Sequence, residues 1–184
     1  MTEKEKMLAG EWYLASDSEL REAHRRALRL AREINQTTEE EVAKRKSLFR
    51  ELLGRVGKTF HIEPPFRCDY GFNIFLGENF YANFDCIFLD VCAIEIGDDV
   101  LLGPRVGIYT ACHPLEPEIR KSGWEFGKPV RIGNNVWIGG NSILNPGISI
   151  GDNSVIGAGS VVTKPIPAHV VAVGNPCRVL RELS

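Results

Sequence analysis

The chain has 184 residues, 43% of them hydrophobic and 25% charged, with a net charge of -2. That length accommodates one domain with a sizeable core, and the near-neutral balance excludes a general attraction to nucleic acid or anionic membrane surfaces. No apolar run approaches the ~20 residues that span a bilayer, and "MTEKEKMLAGEWYL" lacks the apolar core of a signal peptide, which predicts a cytoplasmic protein.

More than half of the charged residues, 24 of them, fall within residues 1–58, so the composition marks an N-terminal segment. In "SDSELREAHRRALRLAREIN", Leu20, Ala23, Ala27, Leu30, Ala31 and Ile34 recur at helical spacing behind Ser16 or Asp17 as cap. In "TTEEEVAKRKSLFRELLGRVG", Val42, Phe49, Leu52, Leu53 and Val56 do the same, opened by Thr37 or Thr38 and three glutamates. The expectation is a pair of amphipathic helices, too short and polar to stand alone, packed on residues 59–184.

From about Leu76 another period takes over. An aliphatic residue followed by a small one recurs at Leu76-Gly77, Ile96-Gly97 and Leu102-Gly103. It resumes at Ile132-Gly133, Ile138-Gly139, Leu144-Asn145, Ile150-Gly151 and Ile156-Gly157, and ends at Val162-Thr163. Four residues after the aliphatic stands a small or β-branched one, as at Val100, Val106, Val136, Ser142, Ile148, Ser154 and Ser160. Six fits neither a helix nor a strictly alternating strand. It fits a parallel β-helix, in which short strands turn at small residues and coils stack ~4.8 Å apart over one apolar column.

The period breaks once, at "TACHPLEPEIRKSGWEFGKPV", Thr110 to Val130. A flat-walled solenoid offers few concave sites, so a loop that leaves it is where chemistry belongs. Pro114 and Pro117 are expected to prevent regular pairing there. His113 opens the loop. A neutral imidazole accepts a proton near pH 7, which makes His113 a candidate general base, against the alternative of an ordinary surface or core histidine. The five cysteines form no CxxC pair and read as small buried side chains of a reducing compartment. His24, His61, His113 and His169 are too scattered for a zinc site, so no metal is expected. No GxGxxG is present, and none of the loops suggests a dinucleotide or ATP site.

The segments "MLAGEWY", "FRCDYGFNIFLGENFYANFDCIFLDVC", "IYTACHPLEP", "GKPVRIGNNVWIGG" and "VVTKPIPAHVVAVGNPCRV" resemble, almost end to end, the maltose/galactoside acetyltransferase group of the hexapeptide-repeat acyltransferases. The resemblance implies a left-handed β-helix; right-handed crossovers are the general rule, so the hand comes from the family alone. It also implies a homotrimer with active sites between subunits, and acetyl transfer from acetyl-CoA to a hydroxyl of a sugar such as maltose or glucose. His113, in the family's "TAxHP" position, is then the general base. Asp17, Asp69 and Asn83 match residues that contact the acceptor or line the catalytic centre; without the family, Asp17 reads as a helix cap and Asn83 as a corner asparagine. Gly140, Ala158, Thr163 and Lys164 match the CoA track, which Asn83 also borders, and Arg178 and Arg181 follow where nucleotide phosphates would lie. One departure stands out. Galactoside enzymes carry two consecutive acidic residues where this chain has Asp90-Val91, which argues against a galactoside specialist.

Two other functions fit the sequence less well. A γ-type carbonic anhydrase needs three converging histidines, and only His113 lies in the repeat tract proper. A structural trimer without activity would not need both the histidine loop and the cofactor track. Among enzymes, an acceptor such as serine, a nucleotide sugar or a lipo-oligosaccharide is the runner-up.

Overall fold

A computed structural model describes residues 1–183. From residue 60 the chain winds into a left-handed parallel β-helix of about 6 turns. Its three faces are visited in fixed order. Face I runs from Phe60–Ile62 through Phe80–Ala82, Leu101–Leu102, Trp137–Ile138 and Val155–Ile156 to Val170–Gly174. Face II holds Phe66–Cys68, Cys86–Leu89, Gly107–Tyr109, Ile143–Leu144 and Val161–Val162. Face III holds Ile74–Leu76, Ile94–Ile96, Val130–Ile132 and Ser149–Ile150.

Strands on a face pair parallel and in register, as Ile94 with Val130 and Ile96 with Ile132. The aliphatics Leu102, Ile138, Leu144, Ile150, Ile156 and Val162 are buried, and so are their companions Val100, Val106, Val136, Ser142, Ile148, Ser154 and Ser160. Both rows point inward with a corner between them, which is why the period is six. Buried serines stay satisfied by bonding carbonyls of neighbouring coils, as Ser154 Oγ does to Pro167 O at 2.9 Å. Along the edge between faces III and I, Asn79, Asp99, Asn135, Asn153 and His169 take φ values of 53–57°. Asn and Asp tolerate that left-handed conformation, and their side chains bond up the stack, as Asn135 Nδ2 does to Asn153 Oδ1 at 2.8 Å.

The solenoid extends beyond the repeat read from sequence at both ends. The first coil starts at Phe60, ahead of Leu76; in the first two coils many inward positions hold Phe60, Phe66, Cys68, Phe80, Cys86 and Phe88 in place of aliphatics, which hides the period. Past Val162, Ile166 bridges to Ile150 and Val170–Gly174 continues face I. The last strand, Cys177–Glu182, folds back antiparallel on it.

The N-terminus forms α1 (Glu3–Leu8), α2 (Ser18–Asn35) and α3 (Val42–Leu52). The expected pair is α2 and α3. The extra helix, α1, starts with a capping box in which Thr2 and Glu5 exchange hydrogen bonds. Neither Thr37 nor Thr38 caps α3: the Thr37 hydroxyl accepts from buried Arg45 Nε at 2.7 Å and donates to Ile34 O at 2.6 Å, locking the turn between helices. Phe49 of α3 meets Phe60 and Phe66 edge-on at 6.3 and 5.5 Å, plugging the open end of the solenoid. One apolar core therefore runs from Leu30 and Phe49 through the coils to Cys177. Among the described residues, no helix is long and apolar enough to cross a membrane.

Candidate active site

After Tyr109 the chain leaves the edge between faces II and III and returns at Val130. The excursion is more regular than its prolines suggested. Ala111–Cys112 pairs antiparallel with Trp124–Gly127, and Tyr13–Leu14 pairs with that strand's other side, setting Tyr13 opposite Glu125. Both prolines lie outside the paired residues, and Pro117 opens α4 (Pro117–Lys121), where a missing N–H costs little. At the base of the arm, buried Thr110 donates to Leu89 O at 2.7 Å and accepts from Cys92 N at 2.9 Å. A second apolar cluster of Met7, Tyr13, Leu20, Tyr70 and Val91 fills the space between arm, α1 and α2. The N-terminal segment thus holds the arm in place.

His113 follows the strand Ala111–Cys112 directly, with Pro114 buried beside it. Its ring is exposed in the single chain and lines a cleft of ≈ 530 Å³ together with Asp69, Tyr70, His24, Glu125 and Ala15. Burial raises the Asp69 carboxyl above its usual range, and the charge of Glu125 reinforces that rise. Behind Asp69, the wholly buried Asp90 accepts from the backbone N–H groups of Asp69 (3.0 Å), Tyr70 (2.9 Å) and Asn73 (3.3 Å). Burial pushes Asp90 up to about 7, partly opposed by the Tyr70 amide. Asp90 thereby fixes the turn that presents Asp69. Glu125 is steadied by the Tyr13 hydroxyl, which donates to its Oε2 at 2.8 Å.

The expected site residues divide between two edges of the prism. His113 and Asp69 meet in the cleft on the II–III edge, and Thr163 and Lys164 lie on that edge two coils further on, ~10 Å along the stack. Asn83, Gly140 and Ala158 lie on the I–II edge, separated from His113 by the width of face II. There Asn83 Oδ1 accepts from Phe84 N at 2.8 Å, and the backbone from Pro104 through Gly140 to Ala158 forms a tight row. A Cβ on Gly140 would come within 3.0 Å of Pro104. Arg178 and Arg181 are exposed on the last strand beside face I. No carboxylate pairs with Lys164, Arg178 or Arg181 among the described residues.

Asp17 is placed differently from the other acceptor candidates. Its Oδ1 accepts from the Glu19 and Leu20 amides at 2.9 and 3.2 Å, capping α2, and Ala15 lines the cleft in its stead. Glu125 and His24 share the cleft with His113, and Tyr13 holds Glu125, yet none of the three is marked as a site residue by the sequence. Tyr13 lies far upstream and meets Glu125 only through strand pairing, so no local motif marks it. The five cysteines are unpaired, four of them buried and Cys112 half-buried. No group of three or more His, Cys, Asp or Glu among the described residues is placed to hold a metal ion.

Residues 6–57 match the profile of the maltose acetyltransferase hexapeptide capping motif, and residues 129–164 the hexapeptide repeat of succinyl-transferase. The galactoside O-acetyltransferase of Escherichia coli (strain K12) is 47% identical over 98% of this chain and 89% of its own length. The chain belongs to the maltose and galactoside O-acetyltransferase family. The crystal structure of a maltose O-acetyltransferase from Clostridium difficile 630 superposes with a TM-score of 0.99 at 59% identity, covering 100% of this chain and 98% of that one. A hexapeptide-repeat acetyltransferase from Vibrio cholerae O1 biovar eltor, solved with acetyl coenzyme A, matches with a TM-score of 0.93 at 41% identity over 100% of both chains. As a member of this family the protein is an acetyltransferase of the galactoside/maltose O-acetyltransferase type.

Proposed function

We propose that the protein transfers the acetyl group of acetyl-CoA to a hydroxyl of a sugar such as maltose or glucose, at sites shared between neighbouring subunits of a homotrimer. The observation that carries this reading is the division of the expected residues between two edges of one prism. A chain cannot fold its II–III edge onto its own I–II edge across a rigid face. A second copy can lay its I–II edge, with Asn83, Gly140 and Ala158, alongside the cleft that holds His113 and Asp69.

In such a groove the pantetheine arm lies along the small residues Gly140 and Ala158, where the backbone is accessible. Lys164, Arg178 and Arg181, which pair with no carboxylate among the described residues, offer charge-assisted hydrogen bonds to the nucleotide phosphates. Neutral His113 takes the proton of the sugar hydroxyl as its oxygen bonds to the thioester carbon. The tetrahedral oxyanion is held by backbone N–H groups. As that intermediate collapses, the C–S bond breaks and the imidazolium returns the proton to the leaving sulfur. Asp69 accepts hydrogen bonds from other hydroxyls of the sugar, and Asp17 serves this arrangement by capping the helix that walls the cleft. A cytoplasmic setting suits five unpaired cysteines and the acetyl-CoA supply.

Subunit complementation tests the reading. His113→Ala disables the arm's edge and Ala158→Trp blocks the opposite one; each variant alone is expected to be inactive. Co-assembled in equal amounts, they recover about a quarter of wild-type activity, since only junctions joining two intact edges work. Zero recovery from verified mixed assemblies would exclude a shared site.

A further inference from the structure

His24 stands on α2 where two hollows meet: the cleft beside His113, and an adjoining one of ≈ 570 Å³ lined by Leu28, Arg32 and Arg67. Its Nδ1 is 2.8 Å from the main-chain oxygen of Asp69. A carbonyl oxygen can only accept, so Nδ1 carries the proton and Nε2 of the neutral ring keeps a lone pair. The ring is half-buried and held edge-on against Tyr70, 6.0 Å between centroids and 67° between planes. Among the described residues nothing bonds to Nε2. A histidine fixed by one nitrogen and stabilised against rotation by an aromatic neighbour presents its other nitrogen in a set direction.

We infer that His24 is a specificity-determining residue whose Nε2 accepts a hydrogen bond from an acceptor hydroxyl other than the one that is acetylated. The inference rests on the sugar-acceptor reading above and extends it. Asp69 and His24 are tied to each other through the Asp69 carbonyl, and both line the same two hollows. Two acceptor atoms held side by side, a carboxylate and an imidazole nitrogen, suit neighbouring hydroxyls of a polyol ring. The reacting hydroxyl is reserved for His113, so the His24 partner lies elsewhere on the sugar.

The test crosses single variants of the full-length enzyme with deoxy analogues of the sugar. In His24→Asn the amide nitrogen can still donate to the Asp69 carbonyl, while the group at Nε2 is gone. With acetyl-CoA saturating and glucose varied, the Michaelis constant for glucose is expected to rise about fivefold to tenfold, the loss of one neutral hydrogen bond. The constant for acetyl-CoA stays within about twofold. Across the monodeoxyglucoses, one analogue loses that same factor with the wild type and loses nothing further with His24→Asn. His24→Gln, which can offer an amide oxygen near the Nε2 position, regains part of the affinity and guards against a folding defect in the first variant. A wild-type constant in His24→Asn, or an equal penalty on every deoxy sugar, would overturn the assignment. Absence of sugar-dependent thiol release from the wild type would instead overturn the sugar reading, and the assignment with it.

Discussion

The I–II edge and the II–III edge are made by the same chain in alternation, yet one is a surface and the other a cleft. On the I–II edge the turn repeats coil after coil, with Asp85, Arg105 and Asn141 all left-handed at φ 57–64°. Each corner there finds its hydrogen bonds on the coil above or below, as Asn141 N does on Pro104 O at 2.8 Å. No loop leaves the stack there, and a long flexible ligand could lie against the row. On the II–III edge the turns differ from coil to coil, and one is replaced by the arm. A segment that leaves the stack loses its neighbours' carbonyls and amides and must find substitutes. The strand Tyr13–Leu14 and the Thr110 hydroxyl are those substitutes at the arm, and the Asp90 carboxylate does the same for the Asp69–Asn73 turn. Regularity provides a track, and interruption provides a site.

The comparison breaks first at His113. His113→Ala is expected to lower turnover by roughly 10³-fold or more, with the Michaelis constant for acetyl-CoA little changed, because the small residues proposed to take the pantetheine arm, Gly140 and Ala158, lie on the other edge. A variant with near wild-type turnover would remove His113 from the chemistry.

Stability should separate the regions in the opposite sense. Leu144→Ala, inside the stack, opens a cavity worth about 2–5 kcal/mol, whereas Leu115→Ala at the tip of the arm, 86% exposed, stays within about 0.5 kcal/mol. Urea midpoints with matched m-values measure both; similar losses would mean that the arm is as much a part of the cooperative core as the coils.

Asp90 sharpens the contrast through pH. Its folded value of about 7 lies above the unfolded carboxylate range near 4, so between those limits the native state binds more protons than the unfolded chain. Stability contributed by this group is therefore present at low pH and falls as pH rises from about 4 to about 7, by up to about 1.4 kcal/mol per pH unit. Asp90→Asn should lack this slope, read from denaturation midpoints across that window. A variant that keeps the wild-type slope would assign the titration to another group.

The smallest effect is expected on the cofactor side. Lys164→Ala and Arg178→Ala should each raise the Michaelis constant for acetyl-CoA several-fold, roughly the worth of one screened charge-assisted hydrogen bond, and leave that for the sugar unchanged. Steady-state kinetics with each substrate varied in turn would show it; two unchanged constants would take both residues off the track.

Much of this was legible along the chain, and the boundary of legibility has a physical cause. The six-residue rhythm from Ile132 to Ile156 determined the solenoid, because a coil's inward residues must match its neighbours in size and spacing. It also located the arm, as the one place where that match is suspended. The rhythm was faint where Phe60, Phe66, Phe80 and Phe88 took the inward positions, since aromatic side chains capped by Phe49 fill the same space without the aliphatic signature. The Asp17 cap of α2 was visible too, whereas α1 with its Thr2 cap and the start of α3 at Glu41 were not. What only the tertiary structure decided is the company His113 keeps. Glu125, Tyr13, His24 and Asp90 reach its surroundings through an antiparallel pairing, a helix laid across face II and a carboxylate bonded to a distant turn. Those contacts depend on how the break is folded back against the N-terminus, and a broken period carries no rule for that.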